Sequence, residues 1–186
     1  MDIRIATPRL VLRAWDEKDA EQLTLGLNDL EVARWMAFVP HPYTRKDAES
    51  WITRCREISR DDIRPAAYEF AVELESDRAV IGGVSLNRID REAGTGGGGI
   101  WIARAWQGHG YGREAFSAKI RFAFRDLGLT KLVNGYFEGN DRSWAMQRSL
   151  GYRRVAEVGS RCMADGRQTV EHVTALLRSD WRDCDA

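Results

Sequence analysis

The stretch Trp106-Gln107-Gly108-His109-Gly110-Tyr111-Gly112-Arg113-Glu114 constrains this chain more than any other. A strand-like run, Ile100-Trp101-Ile102-Ala103, precedes it, and a run with helical apolar spacing, Arg113 to Leu127, follows it. Strand, glycine-rich turn and helix start together build an anion cradle. The first N–H groups of a helix have no partner inside the helix, and the helix dipole favours negative charge at that end. Glycines at 108, 110 and 112 carry no Cβ, so the backbone can approach a phosphate closely. The turn predicts a site for a phosphorylated cofactor.

Three phosphate-binding patterns compete for this turn. A P-loop requires Gly-x-x-x-x-Gly-Lys-Ser/Thr, which the chain lacks. A dinucleotide fingerprint requires Gly-x-Gly-x-x-Gly early in a repeated βαβ unit; Gly108, Gly110 and Gly112 have the wrong last spacing and lie past mid-chain. Gln107, Gly110 and Gly112 fit the third pattern, Gln-x-x-Gly-x-Gly, which resembles the pyrophosphate loop of the GNAT acyltransferase superfamily. Further blocks agree in order along nearly the whole chain. Thr7-Pro8-Arg9-Leu10-Val11-Leu12-Arg13 resembles the first strand of the RimJ/RimL-like branch of that superfamily. Pro42-Tyr43-Thr44 with Asp47-Ala48 and Trp51-Ile52 resembles its substrate-side helix start, and Ile81-Gly82-Gly83 its third strand. Asn140-Asp141-Arg142-Ser143, Leu150-Gly151-Tyr152 and the closing Leu176-Leu177-Arg178-Ser179-Asp180-Trp181 resemble its last blocks.

Composition excludes several other classes. The 186 residues suffice for one domain, expected to span 1–186 and to bury roughly 70% of its unfolded surface. Lys+Arg and Asp+Glu each number 28, scattered without long runs of one sign, so nothing points to nucleic acid or an anionic membrane. Cys55, Cys162 and Cys184 have no metal-ligand spacing and read as ordinary thiols of a reducing cytoplasm; no metal is expected. The start, Met1-Asp2-Ile3-Arg4, shows no signal-peptide pattern, and no apolar run approaches the roughly 20 residues of a membrane helix.

Periodicity orders the elements. Arg9 to Ala14 reads as a strand, and Asp16 as the N-cap of a helix carrying Ala20, Leu23, Leu27 and Leu30. Thr44 and Asp47 form a capping-box pattern for a helix with Ala48, Trp51, Ile52, Cys55 and Ile58 on one face, ended at Arg64-Pro65. Tyr68 to Leu74 and Val80 to Arg88 read as strands, and Gly94 to Gly99 as a loose loop. The helix after the phosphate turn buries Ala115, Phe116, Ile120, Ala123, Phe124 and Leu127 and ends at Gly128. Leu132–Phe137 is a strand, Asp141–Leu150 a short helix, and Tyr152–Val158 with Val170–Leu177 a final antiparallel pair. The fold class is α+β, with a mixed, mostly antiparallel sheet flanked by helices. The resemblance implies the GNAT fold, in which the fourth and fifth strands splay apart around the pantetheine arm.

The resemblance also implies acetyl transfer from acetyl-CoA, as co-substrate, to an amine by direct attack in a ternary complex. The backbone of Gln107, Gly108, His109, Gly110, Tyr111 and Gly112 is expected to take the pyrophosphate, with Arg113 adding charge. By resemblance, Ile102 and Ala103 lend strand backbone to the pantetheine and acetyl carbonyl. Asn140 is either a contact to the pantetheine arm or a helix N-cap. Ser143 is the candidate acid toward the leaving sulfur, or a first-turn serine bonded to its own backbone. The general base is open. Relatives often carry a glutamate where this chain has Gly135, and the tyrosine of other branches falls near Gln147. Glu138, Glu69, Glu73, His41 and Tyr43 are the candidates. Trp35, Phe38, Tyr43 and Trp51 fall in the segment that lines the acceptor side in that family. The acceptor class is a primary amine, in a protein N-terminus, amino sugar, polyamine or other small molecule, and a homodimer is common in that branch. Two alternatives stand beside this reading: an acyl-CoA-binding module without catalysis, and a nucleotide-binding regulatory domain.

Overall fold

The computed structural model describes residues 3–60, 65 and 67–183. Met1, Asp2, Arg64 and Cys184 lie outside the described residues. The elements are β1 (Ile5–Ala6), β2 (Leu10–Ala14), α1 (Ala20–Leu27), α2 (Leu30–Ala33), α3 (Arg45–Arg60), β3 (Tyr68–Leu74) and β4 (Val80–Asp90). After them come β5 (Thr95–Gly97), β6 (Ile100–Ile102), α4 (Tyr111–Arg121), β7 (Lys131–Phe137), α5 (Asp141–Ser149), β8 (Arg153–Cys162) and β9 (Gln168–Leu177).

Local chemistry sets the helix starts. Thr44 and Asp47 cap α3 reciprocally: Thr44 N–H donates to Asp47 Oδ2 at 2.8 Å, and Asp47 N–H to Thr44 Oγ1 at 3.3 Å. Asp16 caps a short turn at Glu17–Asp19 rather than one long helix. Asp29 then starts α2 separately by accepting from Glu31 N–H, so Leu30 does not belong to α1. Beyond Arg121, α4 widens into a π turn at Phe122–Asp126, where Leu127 N–H bonds Phe122 C=O at 3.1 Å. Gly128 follows with φ +69°.

The sheet runs β1-β2-β3-β4-β5-β7-β9-β8, with β6 paired to β4. All pairs are antiparallel except β5 with β7. The glycine segment expected to be a loop thus contains a strand, and it is the strand that joins the two halves of the sheet. Glycine is a weak strand former, but at positions 97 and 98 the neighbouring backbone leaves no room for a Cβ. A Cβ on Gly97 would collide with Val133 O, and one on Gly98, at φ +124°, with Ser85 O. Past the Gly97–Val133 register the strands part: β6 stays on β4, while β7 continues to Phe137 against β9. This parting is the splay that the resemblance implies.

Two cores cover the two faces of the sheet. Phe70, Val72 and Leu86 pack with Phe116, Ile120 and Phe124 of the α4 segment on one face. Trp15, Leu23, Tyr43, Ile52, Cys55 and Ala71 pack beneath α1 and α3 on the other. β7 follows the same division: Leu132, Asn134 and Tyr136 are buried, while Val133, Gly135 and Phe137 are half-buried on the opposite side.

Candidate active site

The phosphate turn leaves β6 through a single 3₁₀ turn at Arg104–Trp106, closed by Trp106 N–H to Ala103 C=O at 2.9 Å. Gly108 and Gly110 both sit at φ +83°, which only glycine adopts readily. A Cβ on Gly108 would meet no atom within 4 Å, so that side of the turn faces open space. The first bond inside α4 runs from Glu114 N–H to Gly110 C=O at 3.1 Å. The N–H groups of Tyr111, Gly112 and Arg113 therefore have no intrahelical acceptor and point out of the helix end. Outward N–H groups at a helix start are the kind of donor set that suits an anion. The Gln107 side chain braces the turn: its Nε2 donates to Ile102 C=O at 2.8 Å, and its Oε1 accepts from Arg142 Nη1 at 3.3 Å. The His109 ring stacks on Tyr111. Arg113, at the helix start, reaches Ser149 Oγ at 3.3 Å.

Arg9 fastens this turn to the start of β2. Its Nε and backbone N–H donate to Glu114 at 2.7 and 2.9 Å, its Nη1 donates to His109 C=O at 3.0 Å, and its guanidinium lies over the Tyr111 ring. Thr7 Oγ1 donates to the same Glu114 carboxylate at 2.6 Å. Nothing local in the Thr7–Arg13 block marks this role for Arg9. Glu114 gives no such signal in the sequence, because an acidic residue in the first turn of a helix is already favoured by the helix dipole.

At the splay, antiparallel pairing sorts the backbone groups of the strand that lines the gap. Ala103 N–H donates to Ile81 C=O at 2.8 Å, and Ser85 N–H to Gly99 C=O at 2.9 Å, so residues 99, 101 and 103 turn their polar groups toward β4. Both backbone groups of Ala103 are engaged, because its C=O accepts from Trp106. Ile102 N–H faces away from β4, into the gap.

α5 closes the far side. Asn140 caps it, its Oδ1 accepting from Ser143 N–H at 3.2 Å, which leaves its amide NH2 as a donor. Ser143 Oγ accepts from Gln147 Nε2 at 3.2 Å, leaving its own hydroxyl proton to give away. Buried Gln147 ties the helix to the sheet by donating to Gly135 C=O at 3.1 Å and accepting from Thr174 Oγ1 at 2.6 Å.

The candidate bases separate on inspection. Glu73 is buried and bound to Arg13 Nε at 2.5 Å, beside Asp19, which takes the two other guanidinium nitrogens at 2.6 and 2.9 Å. Its part is structural. Tyr43 lies in the second core, and burial pushes its hydroxyl up to about 12. His41 is exposed. Glu138 pairs with His172 Nε2 on the face of β7 that carries Tyr136, whose ring stacks between His172 and Trp144 at 4.9 and 5.4 Å. Glu157 Oε1 lies 3.2 Å from His172 Nδ1, outside hydrogen-bonding geometry. Glu69 is mostly buried on the opposite face. It accepts from Ser85 Oγ, and Asn87 Nδ2 lies 3.5 Å from its Oε1; burial raises its pKa above the usual carboxylate range. Of the aromatics expected on the acceptor side, Trp35 lies near the end of β7, 3.6 Å from where a Gly139 Cβ would lie, with the guanidinium groups of Arg34 and Arg167 against its ring. Phe38 is 88% exposed, while Tyr43 and Trp51 pack into the second core.

Comparison with known proteins agrees with this geometry. Over 184 residues the chain is 24% identical to the [ribosomal protein uS5]-alanine N-acetyltransferase of Escherichia coli, covering 96% of this chain and 93% of that protein. It is 26% identical over 175 residues to p20 of Bacillus licheniformis, an uncharacterized N-acetyltransferase, covering 94% and 96%. The crystal structure of the ribosomal-protein-S5-alanine acetyltransferase of Vibrio fischeri superposes with a TM-score of 0.82 over 97% of this chain and 100% of that one, at 21% identity. No helix among the described residues is long and apolar enough to cross a membrane. Residues 9–153 match the acetyltransferase (GNAT) domain family, a span that takes in the Arg9 clamp, the glycine turn and α5, and the chain belongs to that family of acetyl-CoA-dependent acyltransferases.

Proposed function

We infer that the protein is an N-acetyltransferase that moves the acetyl group of acetyl-CoA to a primary amine by direct attack in a ternary complex, with the whole chain acting as one domain. The observation that carries this reading is the conjunction of the open N–H cradle at the start of α4 with the splay between β6 and β7. A diphosphate on the cradle leaves its pantetheine arm to lie in the splay. There Ile102 N–H offers a donor to the arm or to the thioester oxygen. A fixed N–H aimed at the developing oxyanion is worth about 3–4 kcal/mol. In this reading the Asn140 amide and the Ser143 hydroxyl, at the start of α5, serve the same gap, the hydroxyl giving its proton to the departing sulfur while its oxygen accepts from Gln147.

The acceptor class we favour is an N-terminal α-amine. The support is twofold: the relative from Escherichia coli carries an alanine N-acetyltransferase name, and an α-amino group, with a pKa near 8, is partly neutral at pH 7 where a lysine amine is not. Thiol release from acetyl-CoA, measured across N-terminal peptides, amino sugars, polyamines and free amino acids, tests the reading. Peptides with a free N-terminus are expected to turn over and their N-acetylated forms not to. Preference for lysine or polyamine amines, with activity flat down to pH 7, contradicts the α-amine assignment.

A further inference from the structure

Position 135 lies on the wall of the splay and has no side chain, yet the space above it is filled. A Cβ on Gly135 would collide with Glu171 Oε1 and lie 3.2 Å from the Cγ and Cδ of the same residue. Glu171 belongs to β9, in register with Phe137 of β7 and Val158 of β8, and its side chain lies flat across Gly135. Glycine at 135 is thus the condition for a carboxylate from the neighbouring strand to reach the gap.

The row of residues across the sheet at this level is short and specific. Glu69 pairs with Ser85, and Ser85 N–H binds Gly99 C=O. The β5–β7 register, continued two residues beyond Gly97 and Val133, sets Gly135 opposite Gly99 across the splay. A Cβ on Gly99 would meet nothing within 4 Å, so this face of the gap is open on the Gly99 side and bounded by the Glu171 side chain on the Gly135 side. Carboxylates flank it on either side, Glu69 and Glu171. The helices α4 and α5 cover the other face of the sheet, where the cofactor cradle begins. An acceptor therefore has this open face to enter by.

We propose that Glu171 is the carboxylate that meets the acceptor amine over Gly135 and takes its proton. This rests on the acetyl-transfer reading and deepens it. Of the carboxylates near the splay, Glu73 is held by Arg13, Glu138 pairs with His172 on the other face, and Glu69 has Ser85 and Asn87 at its two oxygens. Glu171 accepts from Arg161 Nε at 2.9 Å through Oε2, while its Oε1 accepts no hydrogen bond among the described residues and lies over Gly135. Arg161 orients the group and leaves one oxygen for the substrate. An ammonium R–NH3+ arriving over Gly135 gives one proton to Glu171, which passes it to water. The freed nitrogen lone pair forms the N–C bond to the thioester carbonyl. The tetrahedral adduct then breaks its C–S bond, and the second nitrogen proton ends on the departing sulfur, giving R–NH–acetyl and CoA thiol.

The test uses the full chain with acetyl-CoA and, as acceptor, an alanine-initiated peptide or spermidine, whichever turns over. Glu171→Gln is expected to lower kcat/KM for the acceptor about 100-fold, with CoA affinity by calorimetry unchanged within twofold. Gly135→Ala, whose Cβ displaces the carboxylate, is expected to behave alike. The transplant Gly135→Glu with Glu171→Ala returns a carboxylate to the same space and is expected to recover at least tenfold over Glu171→Ala alone. Activity of Glu171→Gln within threefold of the parent overturns the proposal, as does a larger loss in Glu69→Gln than in Glu171→Gln. If Glu171→Gln also weakens CoA binding, the transplant decides: recovery supports the assignment and no recovery overturns it. A parent protein that acetylates no amine while binding CoA sinks the acetyl-transfer reading instead, which keeps the two failures apart.

Discussion

Arg9 and Glu114, 105 residues apart in the chain, lock the phosphate turn to the start of the sheet: Arg9 Nε and Nη2 lie 2.7 and 2.6 Å from Glu114 Oε2, and Arg9 N–H donates to Oε1 at 2.9 Å. Glu114 is in the first turn of α4, where a carboxylate is also favoured by the helix dipole. With the guanidinium on Oε2 and the backbone N–H on Oε1, both carboxylate oxygens are held, which fixes direction as well as distance. It preorganises the three free N–H groups, so its loss is expected to appear in binding more than in folding. Arg9→Ala should raise the Kd for CoA about tenfold, or about 1.4 kcal/mol, with little change in melting temperature because the arginine is half exposed. Calorimetry on Arg9→Ala, Glu114→Gln and the double variant checks this; the double variant should cost less than the sum of the two singles.

Gly110 carries the conformation that starts α4. At φ +83°, with Arg9 Nη2 3.3 Å from the position of a Cβ, it is both strained and crowded for any other residue. Gly110→Ala should cost about 1–2 kcal/mol of stability and weaken CoA binding further by pushing on Arg9. Gly108→Ala has the same φ but open space, so it should show the strain without the push on the clamp. Equal CoA affinities for the two variants would argue against the clamp.

Arg13 holds Asp19 and Glu73 in a buried cluster in which all three side chains are nearly inaccessible, and those two carboxylates raise the arginine's pKa. Removing the cation leaves two buried carboxylates without their main partner. Arg13→Met should lower stability by about 3–5 kcal/mol in urea unfolding, while the folded fraction binds CoA as before. Loss of CoA binding from a fully folded variant would place this cluster in the site after all.

What the sequence discloses is mostly local. The α3 start is legible because Thr44 and Asp47 are three residues apart, and the cradle is legible because strand, glycines and helix follow one another. The relationships that assign roles to these side chains are not local. Arg9 meets Glu114 across most of the chain, and Glu73 looks like any strand carboxylate until Arg13 is seen beside it. The Gly94–Gly99 segment offers Thr95 as its one side chain, too little to signal a strand; its pairing comes from the β4 and β7 backbones on either side. Gly135 reads as an absence in the sequence; only the register of β7 against β9 reveals that Glu171 lies over it.

Cys55 and Tyr43 share the second core, and burial pushes the thiol and the phenol each up to about 12. The folded protein holds both protons more tightly than the unfolded chain does. Their contribution is fully present below the ordinary pKa values and is lost as pH rises from roughly 9 to 12. For Cys55 alone the linkage amounts to at most about 4 kcal/mol. Urea unfolding at pH 8, 10 and 11.5 should show stability falling across that window, with a shallower fall in Cys55→Ala. Parallel slopes for the two proteins would contradict the assignment.

The central claim is that the cradle and the splay together carry out acetyl transfer to an amine. The most direct measurement is thiol release from acetyl-CoA in the presence of alanine-initiated peptides, amino sugars and polyamines, with Gly110→Glu beside the parent. Acceptor-dependent release is expected, with an acetylated product by mass spectrometry and loss of both in the variant, whose carboxylate would enter the diphosphate position. Tight CoA binding by the parent with no transfer to any amine, or transfer that survives in Gly110→Glu, would contradict it.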